Sequence, residues 1–210
     1  MNRVDLVVPV KGLLRAKSRL LGAADGGRGD RTAHGRLALA LVTDTMVAAT
    51  AAEGVRRVLA ITADPHIAEV LTGLGVETAP DVPEGGLNAA LAYGAELLRR
   101  DDPRALVGAL QADLPALRPA ELTAALRAAS GRAFCPDRQG TGTTLLLAGT
   151  GGLDPRFGPG SARAHAESGA AALLGPWPSL RCDVDTEEDL AEAAALGLGE
   201  QTARLVAEAA

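Results

Sequence analysis

The chain has 210 residues, of which 47% are hydrophobic and 2% aromatic, and it carries a formal net charge of −5. This length and apolar content suit one domain with a core of Ala, Leu and Val. The acidic charge and the few aromatic rings (Tyr93, Phe134, Phe157 and Trp177) argue against a nucleic-acid partner, which calls for a basic surface or stacking rings.

Two cysteines, Cys135 and Cys182, are too few and too far apart for a disulfide scaffold or a zinc cluster. We expect both to be buried thiols. The amino terminus lacks the apolar core of a signal peptide, and no stretch approaches the roughly 18 apolar residues of a membrane span. The sequence therefore predicts a cytoplasmic protein with no membrane partner.

Short apolar runs alternate with longer segments of helical period along the chain. The predicted strands are 5–10, 55–62, 76–79, 105–110, 133–135, 144–148 and, as the last, 180–184. The predicted helices are 32–53, 66–74, 87–100, 119–130 and a final helix that begins at a capping box, Thr186 to Asp189. Asp30 or Thr32 is the expected N-cap of the first helix. The glycine-rich stretch 22–30 predicts a mobile loop.

This alternation predicts an α/β fold, with a mostly parallel sheet covered by helices on both faces. Ligands of such sheets lie beyond the carboxyl ends of the strands. The segments of interest are therefore the loops that follow the strands, at 11–30, 81–87, 111–115 and around Asp183.

A basic loop directly follows the first strand and contains Lys11, Arg15, Lys17 and Arg19. It lacks the second glycine of a P-loop, which excludes that motif. Cations at a strand end suit a triphosphate, but an ordinary solvated basic loop gives the same pattern. The residues alone leave both interpretations open.

Two carboxylates also follow predicted strands. Asp113 stands directly after an apolar run and is followed at once by Leu114-Pro115, and Asp183 lies at the end of the 180–184 strand. If the two strands are neighbours, the pair offers hard oxygen ligands for Mg²⁺. The alternative is that each carboxylate makes local turn or cap hydrogen bonds.

Two further segments, 140–144 and 157–161, combine glycine with hydroxyl side chains and suit a small phosphate or carboxylate, although ordinary turns share that composition. The histidines His34, His66 and His165 have no evident Ser or Cys partner, which disfavours a hydrolase triad.

Taken in order, seven segments resemble the 2-phospho-L-lactate and phosphoenolpyruvate guanylyltransferases of coenzyme F-420 biosynthesis. These segments are VPVK (8–11), RAKSRL (15–20), ITAD (61–64), GGLNAA (85–90), QADLP (111–115), FGPGS (157–161) and DVDT (183–186). The resemblance runs almost from end to end. The Ala-, Gly- and Arg-rich composition is similar to that of actinobacterial proteins, in whose branch of the family the acceptor is phosphoenolpyruvate.

The resemblance implies a single Rossmann-like nucleotidyltransferase domain over 1–210 that joins GMP from GTP to phosphoenolpyruvate and releases pyrophosphate. It implies that Asp113 and Asp183 hold Mg²⁺ and that Lys17 acts with them in catalysis. The phosphoenolpyruvate-binding positions it implies are Thr143, Gly158 and Ser161, and the nucleotide-binding positions are Lys11, Arg15, Lys17, Arg19, Gly86, Leu87 and Asn88. The next enzyme of the pathway is a further candidate partner. The 22–30 stretch departs from the compact loop expected there.

The alternatives change the substrate or the class of protein. The same chemistry on 2-phospho-L-lactate or another three-carbon phosphate keeps the fold. A molybdopterin guanylyltransferase is disfavoured because the Leu-x-Gly-Gly loop it would need after the first strand is absent. A non-catalytic nucleotide-sensing module is disfavoured by Asp113 and Asp183 together with the basic loop.

Overall fold

The computed structural model describes residues 3–10, 20–23, 27–82 and 85–209. Within these ranges the chain forms seven strands and seven helices. In chain order they are β1 (Val4–Pro9), α1 (Arg31–Ala51), β2 (Val55–Ile61), α2 (Pro65–Gly73), β3 (Glu77–Ala79), α3 (Gly86–Asp101), β4 (Leu106–Leu110), α4 (Pro119–Ala128), β5 (Ala133–Pro136), β6 (Thr143–Leu147), α5 (Ser161–Glu167), β7 (Ala171–Ala172), α6 (Glu187–Leu196) and α7 (Glu200–Ala209).

The strands form one sheet in the order β3-β2-β1-β4-β6-β5-β7. Strands β3, β2, β1 and β4 are parallel, whereas β6 runs antiparallel to both of its neighbours, and β7 is parallel to β5. The predicted α/β fold with a mostly parallel sheet is confirmed. The reversal of β6 brings its first residue, Thr143, to the carboxyl end of β4, because Leu145 pairs with Leu110.

Both faces of the sheet are buried, which explains why the strands read as continuous apolar runs. Leu6 and Val8 of β1 pack in a cluster with α1, α2 and α4, whereas Val7 packs in a second cluster with α3. Side chains alternate between the faces along a strand, so β1 supplies both clusters. No helix in the described part of the chain is long and apolar enough to cross a membrane.

Helix caps account for several boundaries. The Asp30 carboxylate accepts hydrogen bonds from the Thr32 and Ala33 amides, so Asp30 is the N-cap of α1. Thr186 and Asp189 form the predicted capping box of α6. That helix is followed by α7, so the prediction that it is the final helix is wrong. Cys135 and Cys182 are buried free thiols, as expected.

The prediction of a strand at 180–184 is also wrong. Leu180, Cys182 and Val184 are fully buried, which produces the strand-like alternation, but the segment forms a turn followed by irregular backbone. It pairs with none of the described strands. Its bonds to the sheet edge include one from the Val184 amide to the Asp113 carbonyl, 3.0 Å long, and one from the Arg181 side chain to the Pro136 carbonyl, 3.2 Å long. Burial alone therefore generated the pattern. Of the predicted loop at 22–30, residues 24–26 lie outside the described residues.

Candidate active site

Asp113 and Asp183 lie together at the carboxyl edge of the sheet. Asp113 is in the turn after β4, and the Val184 amide donates to its carbonyl oxygen at 3.0 Å. The two aspartates are therefore brought together by this main-chain bond and not by adjacent strands. Both side chains are half-buried. A pair of hard oxygen ligands at this edge can hold a divalent cation.

Three carboxylates at this edge, those of Asp113, Asp137 and Asp183, lie close enough to influence one another. Burial, then the charge of Asp113, then that of Asp137, raise the pKa of Asp183 well above the usual range of an aspartate. Asp137 follows β5 and was not singled out from the sequence, although it too stands just beyond a strand end. Its carboxylate accepts hydrogen bonds from the Thr141 and Gly142 amides at 2.8 and 2.7 Å.

Main-chain hydrogen bonds link the segments that carry the three residues matched to acceptor binding, and one of these bonds reaches Gln111, two residues before Asp113. Thr143 begins β6, and the neighbouring Thr144 carbonyl accepts a hydrogen bond from the amide of Gln111 at 2.9 Å. Ser161 begins α5, and its amide donates to the Gly158 carbonyl at 3.0 Å. Thr143 and Ser161 are buried, and Gly158 has a φ of +134° that favours glycine.

The segment matched to nucleotide binding adjoins the acceptor residues. Gly86, Leu87 and Asn88 form the first turn of α3. The Asn88 side chain donates from Nδ2 to the Phe157 carbonyl at 3.0 Å and accepts from the Phe157 amide at 2.8 Å. Asn88 thus ties the start of α3 to the residue before Gly158. This pairing commits one donor and one acceptor site of its amide to the protein itself.

Four residues of the predicted site cannot be placed. Lys11, Arg15, Lys17 and Arg19, the basic residues matched to GTP binding, lie outside the described residues. Their proposed contacts with phosphate, and the catalytic role of Lys17, stay predictions.

His165 was dismissed from the sequence, yet it contacts the acceptor residues directly. It is fully buried on α5, with Nδ1 2.9 Å from Thr143 Oγ1 and Nε2 2.9 Å from the Arg156 amide nitrogen. Burial, reinforced by the charge of Arg132, lowers its pKa to about 4. The spacing from Ser161, four residues within one helix, places the two side chains on one face and could have indicated the connection.

The order of the strands and the helices on both faces of the sheet define a Rossmann-like α/β fold. Solved structures share this fold: a nucleotidyl transferase from Methanothermobacter superposes with a TM-score of 0.61 at 18% identity, covering 93% of this chain and 98% of that one. The manganese complex of a Mycobacterium tuberculosis protein superposes with a TM-score of 0.55 at 21% identity, covering 91% and 97%.

Sequence comparison identifies the family. The family model described as "Guanylyl transferase CofC like" matches residues 4–207, so the chain belongs to this family. A phosphoenolpyruvate guanylyltransferase of Geodermatophilus obscurus is 53% identical over 208 residues, covering 98% of this chain and 95% of the relative. The phosphoenolpyruvate guanylyltransferase of Streptomyces coelicolor is 50% identical over 206 residues, covering 96% and 95%. The resemblance described from the sequence is thereby confirmed.

Proposed function

We propose that the protein transfers GMP from GTP to phosphoenolpyruvate, giving enolpyruvoyl-2-diphospho-5′-guanosine and pyrophosphate in coenzyme F-420 biosynthesis. The observation that carries the proposal is the near-full-length match to relatives that bear the name phosphoenolpyruvate guanylyltransferase. The bonds that join Val184 to Asp113, Gln111 to Thr144 and Asn88 to Phe157 support it, because the reaction needs two anionic substrates side by side.

The chemistry suits the side chains present. A phosphate oxygen of phosphoenolpyruvate is already anionic near neutral pH, so it needs no protein nucleophile or strong general base. This oxygen forms a bond to the α-phosphorus of GTP, while the bond from that phosphorus to the bridging oxygen breaks and pyrophosphate leaves with the electron pair. The protein contributes orientation and charge stabilisation, which dominate phosphoryl-type transfers.

Asp113 and Asp183 fit a Mg²⁺ ion. Burial, and then the negative charges of Asp113 and Asp137, raise the pKa of Asp183, and a bound dication would favour its charged form. Among the described residues no group of three or more His, Cys, Asp and Glu side chains could hold a metal, so phosphate oxygens and water would complete the shell, as Mg²⁺ prefers. When bound, the ion would neutralise developing charge on the phosphates. The basic residues Lys11, Arg15, Lys17 and Arg19 would share that role.

Each remaining residue has a proposed part. Thr143, Gly158 and Ser161 would bind the phosphoenolpyruvate anion through hydroxyl and amide groups. Gly86 and Leu87 would contact the nucleotide with their backbone, and Asn88 would use whatever hydrogen-bonding capacity its bonds to Phe157 leave. We expect a cytoplasmic protein of one domain that passes its product to the next enzyme of the pathway.

The test is pyrophosphate release from GTP by the purified protein with Mg²⁺, with the product identified by mass spectrometry. Release is expected with phosphoenolpyruvate and not without an acceptor. Comparing phosphoenolpyruvate with 2-phospho-L-lactate, and GTP with ATP and CTP, determines specificity. A folded protein that releases no pyrophosphate with either acceptor contradicts the proposal, and a clear preference for 2-phospho-L-lactate changes the acceptor.

For the metal site we expect Asp113→Asn and Asp183→Asn each to lower kcat by at least about a hundredfold, because each removes a charged ligand worth several kcal/mol. Steady-state rates at saturating Mg²⁺ measure the effect, with circular dichroism to verify folding. Asp101→Asn is the matched control: its side chain is 61% exposed and paired with Arg57, away from this edge. Near-normal activity in either site variant would remove that residue from the metal site.

A further inference from the structure

His165 bridges two parts of the acceptor region through its two ring nitrogens. Nε2 lies 2.9 Å from the amide nitrogen of Arg156, and Nδ1 lies 2.9 Å from Thr143 Oγ1. The ring is fully buried and packs edge-on against Phe157, with centroids 5.1 Å apart and planes at 73°. The imidazole therefore has one defined partner at each nitrogen.

These contacts assign the ring proton. A backbone amide can only donate, so Nε2 must present its lone pair to Arg156. The imidazole is then neutral with its hydrogen on Nδ1, and Thr143 Oγ1 accepts that hydrogen. The groups that act on the ring are Arg132 and Arg156, which disfavour a proton, and Asp154, which favours one. Burial is the largest influence and also favours the neutral form.

The assignment leaves Thr143 with a directed hydroxyl hydrogen. A threonine hydroxyl can present either its hydrogen or a lone pair to a ligand. Here one lone pair is occupied by His165, and Thr143 Oγ1 has no other hydrogen-bond partner in the part of the chain that the structure describes. The hydrogen is therefore available to a ligand, and the ligand that gains from it is an acceptor such as a phosphate or carboxylate oxygen.

We propose that His165 is a positioning residue, whose neutral imidazole holds the Thr143 hydroxyl as a donor to the anionic three-carbon acceptor. The proposal rests on the proposed function, which assigns Thr143 to acceptor binding. The same ring holds the Arg156 amide, two residues before Gly158, so one side chain fixes both the hydroxyl donor and the loop beside it.

Two conservative variants separate the contacts. In His165→Gln the side-chain amide reaches the place of Nε2 and can accept from Arg156, but the donor to Thr143 is lost. In His165→Asn the amide stands near Nδ1 and keeps that donor. We expect His165→Gln to raise the KM for phosphoenolpyruvate about tenfold and His165→Asn to raise it less than about threefold. The KM for GTP should change less than about twofold in both.

A double-mutant cycle tests whether the effect passes through Thr143. Thr143→Val should raise the KM for phosphoenolpyruvate about ten- to a hundredfold, because it removes a hydrogen bond to an anion. Adding His165→Gln to Thr143→Val should then change that KM by less than about twofold. A full tenfold effect of His165→Gln in both backgrounds would mean that His165 acts by supporting the fold, and would overturn the proposal.

The position of the proton on the His165 ring can be measured without catalytic turnover. The ¹⁵N NMR spectrum of the unliganded protein should show Nδ1 protonated and Nε2 unprotonated near neutral pH; the opposite tautomer overturns the proposal. Inactive wild-type protein would contradict the proposed function alone. Calorimetry still tests the role of His165, because the binding of phosphoenolpyruvate to wild type, the two single variants and the double variant repeats the cycle at equilibrium. Equal affinities of wild type and the two single variants would again overturn the role of His165.

Discussion

Buried carboxylates fall into two groups that differ in how their charge is compensated. Asp5 accepts two hydrogen bonds from Arg56, and Asp44 accepts the Gln201 and Thr202 amides at the start of α7. Asp183 instead has the charges of Asp113 and Asp137 nearby, and its pKa is raised. A largely buried carboxylate that lies near other carboxylates costs stability, so we expect Asp183 to contribute less to folding than Asp5 or Asp44.

This contrast predicts that Asp183→Asn stabilises the metal-free protein. A carboxyl whose pKa is higher in the folded state binds more protons there, so its stabilising effect at low pH is lost as pH rises through the folded pKa. At neutral pH we expect Asp183→Asn to gain about 1 to 3 kcal/mol in the free energy of unfolding. Near pH 4, about the ordinary pKa of an aspartate, the gain should vanish.

Urea denaturation in the presence of a chelator measures both values. Saturating Mg²⁺ should reverse the order of stability near neutral pH, because only the wild type keeps both ligands and binding stabilises the folded state. A variant that is less stable than wild type in chelator would show that Asp183 is compensated after all.

At the scale of elements, α3 connects the sheet with the site. It lies close to β1 because Gly94 presents no side chain there: a Cβ at Gly94 would be 2.5 Å from Val7 Cγ1 and 3.1 Å from Ile61. Its first turn carries Gly86 to Asn88, and Asn88 holds Phe157. The packing of α3 against β1 therefore helps to position Asn88 and, through it, Phe157.

Gly94→Ala should lower the free energy of unfolding by about 1 to 2 kcal/mol, since overpacking a stiff, buried valine outweighs the gain in helix propensity. Gly73→Ala is the matched control, because a Cβ at Gly73 in α2 meets nothing within 4 Å. It should be neutral or stabilising by up to about 1 kcal/mol. Thermal and urea unfolding of both variants measures the difference, and equal effects would exclude crowding at Gly94.

Most elements were predictable from the sequence, including the three-residue edge strand β3, whereas β7, α5 and α7 were not. Strands β1, β2 and β4 and helices α1 and α3 match the predictions within two residues at each end, because their periodicity reflects burial. The two-residue β7 and the seven-residue α5 are too short for a period to register. The segment 180–184 has the alternating burial of a strand but forms no ladder. A burial pattern in the sequence does not distinguish such a segment from a strand.

The residues of the candidate site were likewise predictable only in part. Asp113 and Asp183 were found because carboxylates stood after apolar runs, a rule that depends on chain order alone. The connections made by His165 and Asn88 join residues that are 22 and 69 positions apart, so only the folded structure reveals them. Asp137 also stands just beyond a strand, so its place in the chain could have indicated it in the same way.

At the scale of the whole molecule, the described residues at the two ends of the parallel strands differ in how their charges are paired. At the end where β1 and β2 begin, Arg56 pairs with Asp5 and Asp102, and Arg57 pairs with Glu77. At the carboxyl end lie Asp113, Asp137 and Asp183. Among the described residues, the arginine–carboxylate pairs therefore lie at one end of the sheet and the proposed site lies at the other.

This separation predicts that Arg56→Ala reduces stability without affecting catalysis. It leaves the fully buried Asp5 carboxylate unpaired, which should cost about 3 kcal/mol, while kcat/KM for both substrates should stay within about twofold. Arg57→Ala is the control, because its carboxylate partners are exposed and should contribute less than about 1 kcal/mol. Urea denaturation and steady-state kinetics measure the two effects. A large kinetic defect in Arg56→Ala would show that the ends are coupled.

The bond between the Val184 amide and the Asp113 carbonyl makes the spacing of the two carboxylates a property of the peptide backbone. Replacing neighbouring side chains keeps the two main-chain groups that form this bond, so such variants do not test its contribution directly. An amide-to-ester replacement at Val184, introduced by semisynthesis, would delete the donor and keep every side chain. The path of the main chain thus contributes to the geometry of the site, and an ester at Val184 would test that contribution.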